Sequence, residues 1–372
     1  MNKFGRVAVP AISGLCPYQP GKPESELERE LGISNIVKLA SNENPLGPSP
    51  AAMDAAKSAL SSLSRYPDGS GHGLKQGLAG RLNVKPQQIT LGNGSSEVLE
   101  IIARVFLGPG REAVFSEYAF AMYPIFVQAA GAKAQIAKAL GADSAMPYGH
   151  DLDAIGKLVN EKTGVVFIAN PNNPTGTFLT GASLYRFVES LPGHVICVVD
   201  EAYFEYVDQD DFPDTLNWIE RFPNLVVTRT FSKAYGIAGL RVGYAVSDPD
   251  ISELMNRIRQ PFNNNSVGLS AALAALQDQD HLIRSRTTNL SGIKYLSNEL
   301  QQRNFDVIPS AANFVCVDVK QDSVAFFNAL LREGVIVRPL ANYHLFNHIR
   351  VTVGTSRENA RFLSALDATL YS

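Results

Sequence analysis

Residues 165–176 read Val-Val-Phe-Ile-Ala-Asn-Pro-Asn-Asn-Pro-Thr-Gly, an unbroken apolar run that stops abruptly at turn-forming residues. Residues 195–200 repeat the arrangement as Val-Ile-Cys-Val-Val-Asp. Strands that are apolar on both faces are typical of a sheet covered by helices on both sides, whereas a half-exposed strand alternates polar and apolar side chains. These two stretches therefore predict an α/β fold with a mostly parallel sheet.

The same alternation of strands and helices continues on both sides of this pair. Predicted strands lie at 88–91, 112–116, 134–137, 165–169, 195–199, 225–230 and 242–246, and predicted helices at 96–106, 121–130 and 181–191. Ser49 followed by Pro50 supplies an N-cap and a first-turn residue for a further helix, to about residue 62. The middle of the chain thus predicts one large α/β domain.

The two ends of the chain differ from this middle part. Proline and glycine punctuate the first residues, which predicts an extended arm ending in a short helix at 24–31. After about residue 261, a long helical stretch to residue 300 precedes short strands at 314–317, 335–337 and 349–353. We therefore expect an N-terminal arm at 1–38, a large domain at 39–260 and a smaller α+β domain at 261–372.

Composition excludes several functional classes. The 372 residues carry a net charge of -3 and are 45% hydrophobic, which is ordinary for a globular protein and argues against a surface that binds nucleic acid. No apolar run is as long as a membrane span, and the opening residues lack the apolar core of a signal peptide. We expect a cytoplasmic protein that binds neither nucleic acid nor membrane.

Cysteines and histidines give no sign of a metal site. Cys16, Cys197 and Cys316 are far apart in the sequence, so they are expected to be reduced thiols packed as small apolar groups. His344 and His348 are the only histidines four residues apart, and they fall in a predicted loop. Neither a disulfide framework nor a bound metal is expected.

Polar segments follow four predicted strands, at the edge where ligands gather in an open α/β sheet. They are 92–97, 170–176, 200–203 and 230–236, with Arg241 shortly after the last. Singly, each has an ordinary explanation, because a lysine after a strand is usually solvated and an aspartate there often caps the next helix. Together they supply an amine (Lys233), a carboxylate (Asp200), phenol and amide donors, and a helix N-terminus beside an arginine. Pyridoxal 5'-phosphate (PLP) requires that combination.

These motifs resemble those of fold-type I PLP-dependent aminotransferases and, more narrowly, the histidinol-phosphate aminotransferase family. The resemblance extends from Tyr18 to about Thr355, with the motifs in family order. The segments that carry it are 39–49, 65–68, 170–176, 200–203, 230–244, 337–339 and 349–355. It implies a large cofactor-binding domain, a smaller α+β domain and an aminotransferase activity.

The resemblance also implies catalytic roles for three residues. Lys233 would bond covalently to the cofactor and, once freed by substrate, carry the proton from the substrate α-carbon to the cofactor. Asp200 would pair with the pyridine nitrogen and keep it protonated, and Tyr203 would donate to the phenolic oxygen together with Asn173. Phe120 fits the ring that stacks on the cofactor face, although a core aromatic at a helix start explains it equally well.

A helix N-terminus and nearby side chains would hold the cofactor phosphate, by the same resemblance. The residues concerned are Gly94, Ser95, Ser96, Thr230, Ser232 and Arg241. Tyr66 fits a family residue that reaches the phosphate of the neighbouring subunit. The resemblance therefore implies a homodimer with shared active sites.

Substrate contacts follow from the resemblance as well. Arg350 fits the family's carboxylate clamp, and its alternative explanation is an arginine extending from a strand into solvent. Tyr18, Asn44 and Arg338 are the other expected substrate-binding residues. The family commonly has an apolar residue where this chain has Asn264 and a glycine where it has His344, so these two roles stay open.

The expected reaction is transamination between histidinol phosphate and 2-oxoglutarate in histidine biosynthesis. An aromatic amino acid aminotransferase and a threonine-phosphate decarboxylase are alternatives, because the same cofactor chemistry serves all three. A non-catalytic PLP-binding regulator is disfavoured, since the arm before Leu39 is too short for a DNA-binding module and is not basic. A dinucleotide-binding fold is disfavoured because Gly92 and Gly94 lack a third glycine, and the glycine run at 69–73 predicts a flexible loop.

Overall fold

The chain folds around a seven-stranded and a four-stranded sheet, in a computed structural model that describes residues 3–5 and 7–370. The helices are α1 (Glu24–Leu31), α2 (Pro50–Ala59), α3 (His72–Leu82), α4 (Ser95–Phe106), α5 (Met122–Ala129), α6 (Leu152–Leu158), α7 (Gly181–Ser190), α8 (Pro249–Ile258), α9 (Ser266–Gln277), α10 (Gln279–Gln302), α11 (Ser323–Arg332) and α12 (Ser356–Leu370). The strands are β1 (Val37–Lys38), β2 (Ile89–Gly92), β3 (Glu112–Ser116), β4 (Lys133–Ala137), β5 (Thr163–Ala169), β6 (Ile196–Asp200), β7 (Leu225–Thr230), β8 (Gly243–Ser247), β9 (Asp306–Ile308), β10 (Phe314–Asp318), β11 (Val335–Ile336), β12 (Arg338–Pro339) and β13 (His348–Thr352).

The large sheet has the strand order β2-β8-β7-β6-β5-β3-β4. Neighbouring strands from β7 to β4 are parallel, and β8 is antiparallel to both β7 and β2. Each predicted strand between residues 88 and 246 is present within two residues of its expected bounds. Side chains along β5 and β6 are buried on both faces, because helices cover both sides of the sheet. The predicted α/β, mostly parallel architecture is therefore confirmed.

The second sheet has the antiparallel order β12-β13-β10-β9 and its own apolar core. The segment before residue 43 packs beside it, because the amide of Thr352 on β13 donates to the carbonyl of Leu39 at 2.9 Å. β1 pairs in parallel with β11 in a separate two-stranded sheet. In this way the chain crosses from the arm to the edge of the large sheet. The proposed division at residues 38 and 260 stays a prediction.

The glycine run at 69–73 is partly helical, so the predicted flexible loop is wrong. Gly71 is the N-cap of α3 with φ +62°, and Gly73 lies inside the helix. Asp68 fixes the entry because its carboxylate accepts from the amides of Ser70 and His72 at 2.9 and 2.7 Å. Glycine lowers helix propensity in sequence terms, yet here it allows close packing, since a Cβ on Gly77 would lie 2.7 Å from a methyl of Leu273. Tertiary packing outweighs local propensity in α3.

Two smaller expectations about thiols and imidazoles are corrected. Cys197 and Cys316 are buried free thiols as expected, but Cys16 is exposed because the arm around it covers no core. His348 lies on β13 rather than in a loop, while His344 ends a short 3-10 turn. No group of three or more potential metal ligands occurs among the described residues. Within the same residues, no helix combines the length and the apolar character that a membrane crossing requires.

Candidate active site

A cavity of about 170 Å³ opens where the carboxyl ends of β5, β6 and β7 meet the N-terminus of α4. Its lining combines twelve of the predicted site residues with five others. The lining residues are Tyr18, Ser41, Asn42, Ser95, Ser96, Phe120, Ala169, Pro171, Asn173, Asp200, Ala202, Tyr203, Thr230, Ser232, Lys233, Arg241 and Arg350. The four polar segments found at strand ends in the sequence therefore meet at one place.

Asp200 ends β6 and is buried at the floor of the cavity. The hydroxyl of Tyr123 donates to its Oδ2 at 3.0 Å, and the hydroxyl of Thr228 donates to its Oδ1 at 3.0 Å. Burial raises the pKa of Asp200 to about 6, and these two hydrogen bonds oppose the rise. No lysine, arginine or histidine of the described chain pairs with this carboxylate, so a cationic group in the cavity would find an unpaired partner there.

Lys233 extends into the same cavity from the turn after β7. Its Nζ donates to the carbonyl of Ser41 at 3.0 Å. Burial lowers the pKa of Lys233 to about 7, and the nearby charge of Arg350 lowers it further. A substantial fraction of this amine is therefore neutral near pH 7, which is the form that attacks an aldehyde.

Tyr203 and Asn173 face the cavity from two neighbouring strand ends. The hydroxyl oxygen of Tyr203 accepts from Nδ2 of Asn42 at 2.8 Å, and burial raises the pKa of Tyr203 to about 12. The phenol therefore keeps its proton and can still donate it. The carbonyl oxygen of Asn173 accepts from Arg350, which leaves the amide of Asn173 as its free donor. Both side chains can thus donate to an oxygen between them.

The start of α4 forms a concave group of donors. Gly94 is the N-cap with φ +80°, and the amides at the first turn of α4 have no carbonyl partner within the helix. Opposite them, the guanidinium of Arg241 donates to Oγ of Ser232 at 3.1 Å. Ser232 is placed in turn by its own amide, which donates to Oγ1 of Thr230 at 3.1 Å. An anion is well matched to this cup, because free amides, a helix dipole and an arginine converge on it.

Arg350 lies on β13 and enters the cavity from the second sheet. It donates to the carbonyl of Ala40 at 2.7 Å and to the side chain of Asn173. Its Nε is buried and has no protein partner. An unpaired buried donor of this kind is a favourable place for an oxygen of a bound anion.

Three predicted site residues lie at the mouth of the cavity or away from it. Tyr18 is 45% exposed at the mouth, and the guanidinium carbon of Arg338 lies 5.8 Å from its ring. Arg338 also donates to the carbonyl of Gln19 at 2.7 Å and faces Arg350 across β12 and β13. Tyr66 is 82% exposed, outside the cavity, and stacks on Phe262 with ring centroids 4.7 Å apart.

Asn44 was expected to bind substrate but is fully engaged elsewhere. Its Nδ2 donates to the carbonyl of Ala234 and to Oγ of Ser285, both at 2.8 Å, and its Oδ1 accepts from the amide of Leu46. It does not line the cavity. Asn42, two residues earlier and with φ +56°, does line it. Asn44 thus holds the turn after Lys233 from outside the cavity, through the carbonyl of Ala234.

Sequence reasoning missed three side chains that act on the cavity: Asn42, Tyr123 and Thr228. Thr228 pairs in register with Asp200 on the neighbouring strand, so a correct register would have found it. Tyr123 lies three residues after Phe120, inside the predicted helix at 121–130. Asn42 had a weaker signal, because its backbone has a positive φ of 56° and the sequence does not give that angle.

Comparisons with known proteins agree with the geometry. The family model for aminotransferase class I and II matches residues 34–366. The chain is 54% identical to histidinol-phosphate aminotransferase 1 of Nitrosococcus oceani, over 99% of this chain and 98% of that protein. It is 56% identical to histidinol-phosphate aminotransferase 2 of Methylococcus capsulatus, over 98% of both. The crystal structure of the histidinol-phosphate aminotransferase from Sinorhizobium meliloti in complex with PLP has a TM-score of 0.88 and 28% identity, covering 100% of this chain and 98% of that one.

Proposed function

This chain belongs to the class I and II aminotransferases and, within them, to the histidinol-phosphate aminotransferase family, and from that premise we propose that it transfers the amino group of histidinol phosphate to 2-oxoglutarate in histidine biosynthesis. It is a PLP-dependent enzyme of fold type I that acts on a small amino donor and a 2-oxo acid. The observation that carries the proposal is one cavity that brings together a partly buried lysine with a lowered pKa, an unpaired buried carboxylate and an anion cup.

The donor set fits PLP group by group. The cup at α4 suits a phosphate dianion, the unpaired Asp200 suits a protonated ring nitrogen, and the donors of Tyr203 and Asn173 suit a phenolic oxygen. When bound, PLP supplies an aldehyde that bonds to amines and a ring that accepts the electrons released at the substrate α-carbon. Phe120 lines the cavity beside these groups, where its ring can cover one face of the cofactor.

The protein's own part in the reaction is proton transfer and orientation. Lys233 would hold the cofactor, and its freed amine would move the proton away from the substrate α-carbon, a role that suits an amine whose pKa is lowered to about 7 in the cofactor-free protein. Asp200 keeps a positive charge on the ring nitrogen. Arg350 orients the substrate anion through its unpaired Nε.

The preference for histidinol phosphate is assigned to Arg338 and Tyr18. Histidinol phosphate has no α-carboxylate, so Arg350 would face its phosphate in one half-reaction and the carboxylate of glutamate in the other, and Arg338 would add a contact to the phosphate. Arg338 and Arg350 are register partners on β12 and β13, and the guanidinium of Arg338 lies beside Tyr18 at the mouth of the cavity. An arginine fork binds either anion by charge-assisted hydrogen bonds.

A first experiment compares amino donors directly. Cofactor-loaded protein is mixed separately with histidinol phosphate and with phenylalanine, and the absorbance band of the bound cofactor is followed before and after 2-oxoglutarate is added. We expect rapid conversion by histidinol phosphate, reversed by 2-oxoglutarate. Faster conversion by phenylalanine would make the enzyme an aromatic aminotransferase, and no chromophore after incubation with PLP would contradict the cofactor site itself.

The active sites are proposed to be shared within a homodimer. Tyr66 is the most exposed large aromatic residue of the described chain outside its opening residues, and it stacks on a partly exposed Phe262. Leu60 and Leu63 are exposed beside it in the sequence. An apolar, aromatic surface of this kind is typical of a protein interface. A second subunit would bring its Tyr66 to this chain's phosphate cup.

Subunit complementation tests the shared site. Tyr66→Phe should weaken cofactor retention, and Lys233→Ala should be inactive. A mixed dimer of these two variants contains one site with native Lys233 and native Tyr66, so part of the activity should return on mixing. Activity that never exceeds that of the separate variants, with mixed dimers verified by differential tagging, would contradict the shared site.

A further inference from the structure

Three consecutive asparagines, Asn263, Asn264 and Asn265, lie just before α9 and touch both halves of the phosphate cup. One half is the turn that leads from β2 into α4. The other half is the turn that carries Arg241. None of the three lines the cavity, and their donor groups bond to backbone carbonyls and to Glu97, while Oδ1 of Asn263 accepts from Arg259 at 2.5 Å. They can therefore act on the cup only through its shape.

Asn264 holds the first half. It is only 3% exposed, and its Nδ2 donates to the carbonyl of Gly92 at 2.7 Å. The same carbonyl accepts from the amide of Gly94 at 2.8 Å. This one oxygen therefore closes the turn and also binds Asn264. The turn packs closely against the helix and leaves no room for a side chain at this position, because a Cβ on Gly92 would lie 2.6 Å from a methyl of Val98. The direction of the first amides of α4 depends on this turn.

Asn263 and Asn265 add further hydrogen bonds to the two turns. Asn263 donates to Oε2 of Glu97 at 2.6 Å, and that oxygen also accepts from the amide of Asn93 at 2.6 Å. Asn265 donates to the carbonyl of Leu240 at 3.0 Å while its Oδ1 caps α9 by accepting from Gly268 at 2.6 Å. Leu240 immediately precedes Arg241 in the sequence. The start of α9 is therefore bonded to both walls of the cup.

We propose that Asn264 is a positioning residue which, with its two neighbours, sets the spacing between the free amides of α4 and the guanidinium of Arg241 and thereby sets the affinity for the cofactor phosphate. This inference rests on the proposed assignment of the phosphate to that cup. It adds a residue whose role the sequence left open. Asn264 touches no cofactor atom and acts through the Gly92 carbonyl.

The other side-chain atom of Asn264 argues against a purely structural role. Its Oδ1 is buried and has no partner, which is unfavourable for folding. Asn264→Val removes that unpaired acceptor together with the donor and keeps a similar volume. Thermal stability should therefore hold or rise in the variant, while the geometry of the cup relaxes.

The chain offers a matched control in Asn289. It is 4% exposed, its Nδ2 donates to the carbonyl of Ala312 at 3.0 Å, and its Oδ1 is likewise buried without a partner. Asn289→Val makes the same chemical change away from the cup. Any effect of losing a buried amide in general should appear equally in both variants.

The experiment measures cofactor affinity in two forms, with and without the phosphate. Apoenzyme of the wild type, Asn264→Val, Asn289→Val and Arg241→Ala is titrated with PLP and with pyridoxal, and binding is followed by absorbance. For Asn264→Val we expect the Kd of PLP to rise roughly three- to tenfold, the effect of one lost hydrogen bond, with the Kd of pyridoxal unchanged. Asn289→Val should leave the ratio of the Kd of PLP to the Kd of pyridoxal at its wild-type value. Asn264→Asp keeps the side-chain shape and replaces the donor with an acceptor. The Kd of PLP should therefore rise relative to that of pyridoxal, as in Asn264→Val.

The outcomes separate this inference from the assignment beneath it. If Arg241→Ala lowers PLP affinity selectively but neither Asn264 variant does, the positioning role is wrong and the cup assignment stands. If Arg241→Ala leaves the ratio of the two Kd values unchanged, the cup itself has been misassigned. Equal weakening of PLP and pyridoxal by Asn264→Val would also overturn the proposal, since it would indicate a general structural role.

Discussion

The cofactor end and the substrate end of the active site differ in how deeply their residues are buried and in which parts of the chain supply them. At the cofactor end, Asp200 is buried and accepts hydrogen bonds from Tyr123 and Thr228, while Lys233 is partly buried and donates to the carbonyl of Ser41. At the substrate end, Tyr18 and Arg338 are partly exposed and come from the arm and from the second sheet. Burial shifts pKa values strongly at the first end, whereas water screens charges at the second. Changes at the buried end should therefore have large effects, and changes at the open end should have graded ones.

The largest effect is expected from Lys233→Ala. The variant loses both the amine that holds the cofactor and the group that moves the proton, so turnover should fall by about 10⁴-fold or more. Steady-state rates with histidinol phosphate and 2-oxoglutarate measure the loss, and circular dichroism checks that the fold is intact. Lys320→Ala, which alters an exposed lysine in an ion pair with Asp306, should keep wild-type rates. Residual turnover within tenfold of wild type would place the reactive amine elsewhere.

The next effect is expected from Asp200→Asn, which removes the charge at the buried end but keeps the side-chain shape. Turnover should fall by roughly 10²- to 10³-fold because the ring nitrogen is no longer held protonated. Rates at saturating cofactor separate this loss from weaker cofactor binding. A variant that retains full turnover at saturating PLP would show that the carboxylate has no electronic role.

The same substitution should stabilise the cofactor-free protein at neutral pH. The folded pKa of Asp200 is raised to about 6 from 3.8, so the native state resists ionisation and stability falls as pH rises from about 4 to 6. Asn has no such penalty. The difference in unfolding free energy between Asp200→Asn and wild type should grow by about 3 kcal/mol over that window and then stay level. Urea unfolding of the apoenzymes at pH 4 and pH 7 measures it, and a constant difference would contradict the burial penalty.

The sequence predicts some residues of the active site and not others. Lys233 and Asp200 could be located because each follows a short apolar strand, and strand ends of a parallel sheet meet at one edge. Thr228 could not, because its contact with Asp200 depends on strand register, which a buried two-faced strand does not reveal. Asn42 and Asn44 are two residues apart with the same chemistry, yet Asn42 lines the cavity whereas Asn44 bonds to Ala234 and Ser285, and the sequence does not distinguish the two. The glycine-rich α3 was missed because its stability comes from packing against α9.

At the open end, a smaller effect is expected from Arg338→Gln. The loss of one charge-assisted contact, partly screened by solvent, should raise KM for histidinol phosphate by roughly tenfold. The half-reaction with glutamate should change by less than threefold, because Arg350 remains to bind the carboxylate. KM values for each substrate in wild type and variant measure the split. An equal loss for both substrates would remove Arg338 from phosphate recognition.

The most direct comparison of the two ends deletes one tyrosine hydroxyl at each of them. Tyr123→Phe removes the bond to Oδ2 of Asp200 without opening a cavity, so the pKa of Asp200 should rise further and turnover should fall by roughly tenfold, with a shifted pH profile. Tyr18→Phe keeps the ring beside Arg338 and loses only a hydroxyl near water, so kcat should stay the same and KM should change by about threefold at most. If the two variants instead behave alike in kcat, KM and pH profile, then burial does not separate the two ends, and the hydroxyl of Tyr18 contacts the reacting groups more closely than its exposure implies.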